Sequence, residues 1–164
     1  MKPRIAAAIG ALFALAACAD PVKELKPIGA DEVAKIGVRE VRVEAAAEVP
    51  APIVENTKGN VRQHLATCAT GPEPHIVEVR IDNFKEANPA AVVLVGDTAS
   101  LAGQVRVIKA SDGTIVGEYY VQELMLGMGL IGLAITANAD TRLPPAFAKR
   151  ICERVFKRPS TVQG

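Results

Sequence analysis

The sequence contains no tryptophan and few other aromatic residues. Sugar-binding clefts depend on such rings, which offer large apolar faces with a polar edge. A dedicated carbohydrate site is therefore not expected. The aromatic residues beyond the first seventeen positions are Phe84, Tyr119, Tyr120, Phe147 and Phe156.

The sequence also lacks an excess of either charge, because its side chains sum to +1 at neutral pH. Bulk electrostatic binding to nucleic acid requires a clustered excess of cations. Nucleic acid is therefore not an expected partner. Long apolar runs are scarce as well, and the run that opens the chain, over residues 5–17, is too short for a permanent membrane span.

This opening segment has the organisation of a secretory signal. Lys2 and Arg4 precede the apolar run, and small residues stand just ahead of Cys18 in the sequence LAAC. The segment resembles a bacterial lipoprotein signal with its lipobox. The resemblance implies that residues 1–17 are cleaved off and that Cys18 carries a diacylglycerol on its sulfur and a third acyl chain on its amine. An ordinary secretory signal or an uncleaved anchor is the alternative.

The residues after the cysteine bear on location. Two or three acyl chains attach a protein to a membrane more firmly than the single chain that binds marginally. In lipoproteins of this kind, an Asp directly after the lipidated cysteine retains the protein in the inner membrane. Ala19 stands at that position, and Asp20 follows one place later. The resemblance therefore implies a lipid-anchored protein of the outer membrane that faces the periplasm.

The rest of the chain predicts one globular domain between two irregular segments. Residues 18–37 mix prolines, glycine and charged side chains without a sustained period, which is typical of a tether. Residues 38–157 carry strand and helix patterns and are long enough for one domain of ordinary size. Residues 158–164 are predicted to be a disordered tail.

Four segments of the domain carry clear strand patterns. Residues 41–45 and 77–82 alternate apolar and polar side chains, as half-buried strands do. The pair Asp112-Gly113 predicts a hairpin, because Gly113 tolerates the positive φ that such turns demand. Its strands are expected over residues 101–110 and 114–122.

The remaining patterns settle the fold class. The apolar run 91–95 is interpreted as a further short strand or the entry to one. Apolar stripes predict a helix over residues 56–68 and a last helix that begins at Pro144 and Pro145. The order of elements predicts an α+β fold: a mainly antiparallel sheet of about four strands with two helices on one face.

Six segments within residues 38–157 carry a resemblance to known proteins: VREVRVEAAAEVP, VRQHLA, HIVEVRIDNF, LAGQVRVIKASDGTIVGEY, GLIGLAI and LPPAFAKRICERVF. Their succession resembles a group of small proteobacterial lipoproteins of unknown function. The domain of that group is similar to the periplasmic α/β domains of the curli secretion channel and of the N-terminal part of the Tol translocation protein. The resemblance implies a fold and a cell-envelope setting, and it carries over no catalytic residue.

The glycine-rich stretch contains a motif of nucleotide-binding proteins. Gly127, Gly129 and Gly132 are spaced as G-x-G-x-x-G. A dinucleotide site also needs a second parallel strand and an acidic residue after the motif, whereas only helix and tail are predicted here. We therefore expect no cofactor and interpret the glycines as positions of close packing. A hydrophobic contact with a partner or with lipid is the functional alternative.

Two histidines and a cysteine suggest metal or thiol chemistry. His64 and Cys68 lie four residues apart on a predicted helix, so one face could present both to zinc or pair a thiolate with a base. Cys68 nevertheless completes an apolar stripe, and neither His75 nor any other residue supplies the missing ligands at a usable spacing. We expect no metal and no catalytic residue, but a packing cysteine beside a solvent-edge histidine.

The last predicted helix is rich in cations. Cations at the C-terminal end of a helix interact favourably with the helix dipole, and exposed charges also favour solubility. Contact with phosphate headgroups or an acidic partner is the alternative. The cations are Lys149, Arg150, Arg154, Lys157 and Arg158.

The cysteine count predicts a disulfide. If Cys18 carries lipid, Cys68 and Cys152 are an even pair in an oxidising compartment. Each lies on the apolar stripe of a predicted helix, and both helices should cover the same face of the sheet. We therefore predict a bond between Cys68 and Cys152, which requires their Cα atoms to lie within about 7 Å. Two independently buried thiols fit the same pattern.

Two functions from different classes follow. The first is a lipid-anchored, non-enzymatic docking or assembly module of the cell envelope, with the membrane and an envelope protein as partners. The alternative is a lipoprotein subunit of a lipid or solute transport system, in which residues 124–139 line an apolar groove. A closed core beneath this stretch would favour docking, and a concave apolar pocket would favour carriage.

Overall fold

A computed structural model describes residues 20–159 and residue 162. The predicted signal peptide over residues 1–17 and the predicted lipidation site Cys18 lie outside the described residues. Most of the predicted tail lies outside them as well. Arg158 is described, and its backbone N–H donates a hydrogen bond to the carbonyl oxygen of Cys152 at 3.1 Å.

The domain is built on one five-stranded sheet in the spatial order β1-β5-β4-β3-β2. Only β2 and β3 run parallel, and every other neighbouring pair is antiparallel. The α+β class and the mainly antiparallel sheet are confirmed, with five strands where about four were expected. The strands are β1 (Val22–Lys26), β2 (Ile36–Ala45), β3 (Glu73–Lys85), β4 (Asp97–Lys109) and β5 (Ile115–Gly127).

The fifth strand corrects the prediction of a tether over residues 18–37. β1 pairs with β5 from Val22, opposite Val121, to Lys26, opposite Glu118. Only Val22 is buried in β1, so an edge strand with four exposed side chains shows no apolar period. After β1, Ile28 is buried, and its N–H donates to the Tyr119 hydroxyl at 2.8 Å.

Two helices cover one face of the sheet. The helix α1 (Ala30–Val33) is a single turn before β2. The longest helix, α2 (Ala51–Cys68), packs against β2 and against α5 (Ala139–Arg150), which itself contacts β4 and β5. A π-helical turn, Ile151–Val155, continues α5. The predicted helix over residues 56–68 therefore begins earlier, at Ala51.

The start of the last helix also differs from the prediction. α5 begins at Ala139, so Pro144 and Pro145 lie inside it. Proline favours the first helical turn because its missing N–H is not needed there, and that preference misplaced the start. The helix extends upstream, where the N–H of Arg142 donates to the Asn138 carbonyl at 3.1 Å.

Two short helices stand beside the end of the β4–β5 hairpin. α3 (Pro89–Leu94) occupies most of the run 91–95, for which a strand or the entry to one is predicted. The strand is corrected to a helix, and the run leads into β4. The Asn88 side chain accepts hydrogen bonds from the N–H groups of Ala90 and Ala91, at 3.0 and 3.2 Å, and Pro89 follows it as the first helical residue. This cap outweighs the β-branched valines. α4 (Gly129–Thr136) follows β5 directly.

The hairpin itself is confirmed. β4 and β5 pair over their full lengths, from Ile108 opposite Ile115 to Asp97 opposite Gly127. Gly113 has a φ of +74°, and the Asp112 carboxylate accepts the N–H of Thr114 at 2.9 Å. The turn therefore stands at one end of the sheet, and α3 and α4 stand at the other end.

The core lies between the inner face of the sheet and the helices α2 and α5. Its sheet residues alternate along the central strands, as a half-covered sheet requires. Tyr119 and Phe147 are among its largest fully buried side chains. Buried on the inner face of the sheet are Val41, Val77, Val79, Ile81, Val105, Val107, Tyr119 and Val121.

Candidate docking surface

The predicted disulfide is present in the structure. Cys68 is the last residue of α2, Cys152 lies in the π-helical turn, and their sulfurs are bonded across 84 residues of sequence. The two Cα atoms are 5.8 Å apart, and both side chains are buried in the core. Because the sulfur of Cys68 is held in this bond, it cannot act as a thiolate nucleophile or metal ligand.

Both histidines are buried, which corrects the expectation of a solvent-edge histidine. Burial lowers the pKa of His64, and the charge of Lys149 lowers it further. The Nδ1 atom of His75 lies 2.9 Å from the carbonyl oxygen of Glu73. Within the described residues, no group of three or more His, Cys, Asp or Glu side chains is placed to hold a metal ion.

The glycine motif joins a strand to a helix without forming a nucleotide-binding unit. Gly127 ends β5, α4 follows, and α5 comes next, so no parallel strand succeeds the motif in the described part of the chain. A Cβ on Gly132 would lie 2.5 Å from the carbonyl carbon of Gly127. Close packing is confirmed there. Gly129 instead adopts a φ of +65° with open space around it.

The basic residues of the last helix are largely paired within the chain. Arg150 binds Glu123 of β5 through both carboxylate oxygens, and this hydrogen bonding raises the pKa of Arg150. Arg154 binds Asp20 just before β1. Lys149 lies 3.8 Å from Glu153. These pairs support the structural interpretation of the basic cluster over an anion site.

The face of the sheet opposite the helices is open and, apart from Leu124 and Leu126 near one end, largely polar. Arg42 of β2 donates hydrogen bonds to Glu40 at 2.8 Å and to Glu78 at 3.1 Å. Arg106 of β4 donates to Glu118 of β5 at 2.9 Å. The paired charges, within β2 and between neighbouring strands, offset one another, so this face presents no field of a single sign.

The most distinctive surface lies at the end of the hairpin beside α3 and α4. There, the large apolar side chains are between 57% and 80% exposed. Contiguous exposed apolar groups of this kind mark interaction sites in proteins. We call this surface the apolar end: Leu94, Val95, Leu124, Leu126, Met128, Leu130 and Ile131.

The apolar end is one surface because three elements meet in it. Gly96, just after α3, is so close to the end of β5 that a Cβ on it would lie 3.4 Å from the carbonyl oxygen of Gly127. α4 folds back so that Gly132 meets Gly127, and the Val92 side chain packs against both glycines. The junction of β5 and α4 is therefore closely packed against α3. This close packing favours docking over carriage of a ligand in a groove.

The chain enters the domain near this same end. The backbone N–H of Gln122 in β5 donates to the carbonyl oxygen of Pro21 at 2.8 Å. The Asp20 carboxylate accepts the N–H of Val22 at 3.0 Å. This bond, together with the pairing to Arg154, lowers the pKa of Asp20. Residue 20 is thereby fixed beside the part of β5 that leads into the apolar end.

Within the described residues, no helix is both long enough and apolar enough to cross a membrane. α4, the most apolar helix, spans only eight residues. The apolar end is therefore a surface feature built from short elements and the end of a hairpin.

Comparison with known proteins gives a fold. No protein-family model matches the sequence, and no curated protein matches it. A protein of Caulobacter crescentus CB15 named as a lipoprotein shares the fold with a TM-score of 0.50 and 10% sequence identity. The match covers 78% of this chain and 92% of that one.

Two further solved structures match less closely. A Xanthomonas campestris protein of the DUF330 family gives a TM-score of 0.48 at 11% identity, over 71% of this chain and 84% of that chain. The dodecamer of a PelC variant from Paraburkholderia phytofirmans gives 0.46 at 11% identity, over 84% and 96%. At such identities the likeness extends to the fold alone. The predicted likeness to curli and Tol domains stays a prediction.

Proposed function

We propose that this chain is a lipid-anchored, non-enzymatic module of the cell envelope that docks through its apolar end. The observation that carries the proposal is the exposure of seven large apolar side chains on a closed, disulfide-bonded domain. A contiguous surface of exposed apolar side chains is suited to contact with a partner. The anchor is Cys18, from the lipobox sequence LAAC.

The location follows from the same anchor. Ala19, where retained lipoproteins have Asp, favours the outer membrane with the domain in the periplasm. The disulfide between Cys68 and Cys152 suits that compartment, since such bonds persist where the environment is oxidising. The shared fold with a Caulobacter protein named as a lipoprotein supports the same assignment.

Metabolic labelling tests the anchor. Cells grown with labelled palmitate should mark the wild-type protein and leave Cys18→Ser unlabelled, because the serine side chain provides no thioether for the diacylglycerol. The matched control is the double variant Cys68→Ser/Cys152→Ser, which should keep the label. Equal labelling of Cys18→Ser and the wild type would contradict the proposed function.

A further inference from the structure

We propose that the occupant of the apolar end is the lipid leaflet that holds the acyl chains of Cys18. The domain would then stand end-on at the membrane, with its last hairpin and the helices α3 and α4 in the headgroup region. The Asp112-Gly113 turn would point away from the membrane. This inference rests on the proposed lipid anchor and names the partner of the same surface.

The first step of the argument is the length of chain between anchor and domain. Cys18 precedes Asp20 by two residues, so their Cα atoms lie at most about 7 Å apart. Asp20 is fixed by its bonds to Val22 and Arg154. A lipid on Cys18 therefore cannot hold the domain at a distance, and the membrane surface must lie close to Asp20.

The second step is the direction of the strands. β1 runs antiparallel to β5 with Val22 opposite Val121, and the carbonyl oxygen of Pro21, just before Val22, accepts the N–H of Gln122. β5 continues in that direction to Gly127. Acyl chains that leave this edge and enter a bilayer must bring Leu124 and the rest of the apolar end to the same bilayer.

The third step is the chemistry of the surface. Residues 124–139 contain no charged side chain, and neither do residues 89–96. Of the neighbouring charges, Glu123 is buried and paired with Arg150. Asp97, which is paired with Lys85, and Arg142, which donates to the Ile135 carbonyl at the end of α4, border the surface. An uncharged surface with charges at its border can enter the boundary between headgroups and acyl chains while the charged groups stay among the headgroups. A second copy or an envelope protein would have to displace lipid from directly beside the anchor.

Site-directed fluorescence tests the occupant. Full-length lipidated protein carrying Ile131→Cys is labelled with the environment-sensitive dye NBD and placed in vesicles of phosphatidylethanolamine and phosphatidylglycerol. Ile131 is 79% exposed, so the label should not disturb the fold. We expect a blue shift of the emission and its quenching by lipids with doxyl groups near the headgroup. The matched control is Asp112→Cys at the far turn, roughly 40 Å of strand away, which should show neither effect.

A second pair of variants tests whether the quenching depends on the apolar side chains and not on the dye alone. Leu126→Glu/Leu130→Glu should abolish the doxyl quenching of the Ile131→Cys probe, since two carboxylates would have to enter the membrane boundary. The matched double variant Leu25→Glu/Ile115→Glu changes exposed apolar residues away from the apolar end and should leave the quenching intact. All variants are checked for unchanged thermal unfolding.

The outcomes separate this inference from the proposed function. An Ile131→Cys probe that stays in water while the protein remains bound by its acyl chains overturns the inference and leaves the anchor standing. A blue-shifted probe that doxyl lipids do not quench assigns the surface to a second copy or another protein, which also overturns it. If the wild-type protein is not labelled by palmitate at Cys18, the proposed lipid anchor is wrong, and this inference is then wrong as well.

Discussion

At the scale of single residues, Asp97 fixes one side of the apolar end. Its carboxylate accepts hydrogen bonds from the Lys85 ammonium at 2.6 Å, from the Asn88 N–H at 2.8 Å and from the Thr98 N–H at 2.8 Å. These bonds, led by that of Lys85, lower the pKa of Asp97 from 3.8 to about 2. One side chain thus ties the start of α3 to the start of β4.

This geometry predicts a pH-dependent loss in Asp97→Asn. Because the folded-state pKa is below the unfolded-state value, the carboxylate stabilises the fold above about pH 4, and that contribution is lost as the pH falls toward 2. The wild type should therefore unfold at higher urea than Asp97→Asn at pH 6, with a difference that shrinks toward pH 2. Urea titrations at several pH values measure it. A difference that does not depend on pH would contradict the assigned role.

Glu123 shows how a buried charge is accommodated beside the same surface. It is 8% exposed and is held by two guanidinium bonds from Arg150, which ties α5 to β5. Paired geometry of this kind satisfies both carboxylate oxygens. The charge therefore lies behind Leu124 and Leu126 and does not interrupt the apolar end.

At the scale of elements, the junction of β5 and α4 depends on two glycines. Gly127 and Gly132 approach so closely that a Cβ on either would lie within 2.7 Å of the other's backbone. Gly132→Val should lower the free energy of unfolding by about 1 to 3 kcal/mol through overpacking. Chemical denaturation measures the loss. Gly59→Val is the matched control, because Gly59 is an exposed helical glycine with open space around it.

The elements that sequence patterns predict are those whose pattern reflects burial. Residues 77–82 alternate because one face of β3 is covered, and the Asp112-Gly113 turn has the required positive φ at Gly113. β1 has no such pattern, because this edge strand is held by backbone pairing to β5 and buries only Val22. α3 was missed because its valines favour strands, although Asn88 before Pro89 is a recognisable helix start.

At the scale of the whole molecule, the candidate surface could be predicted only in part. The uncharged stretch 124–139 is visible in the sequence as a region of hydrophobic contact. Its union with Leu94 and Val95 arises from the pairing of Asp97 with Gly127, which joins segments about thirty residues apart. The exposure of these side chains likewise depends on the assembled fold, because the sequence of an apolar run does not show whether it lies in the core or on the surface.

The disulfide acts on the whole molecule, because it joins the end of α2 to the π-helical turn that continues α5. It closes a segment of 84 residues, which in the chain-entropy model stabilises the fold by about 4 to 5 kcal/mol, although real bonds often contribute less. Cys68→Ala/Cys152→Ala should therefore unfold at clearly lower urea than the oxidised wild type. Mass spectrometry of protein alkylated without reduction checks the bond itself. Alkylated thiols at both Cys68 and Cys152 would contradict it.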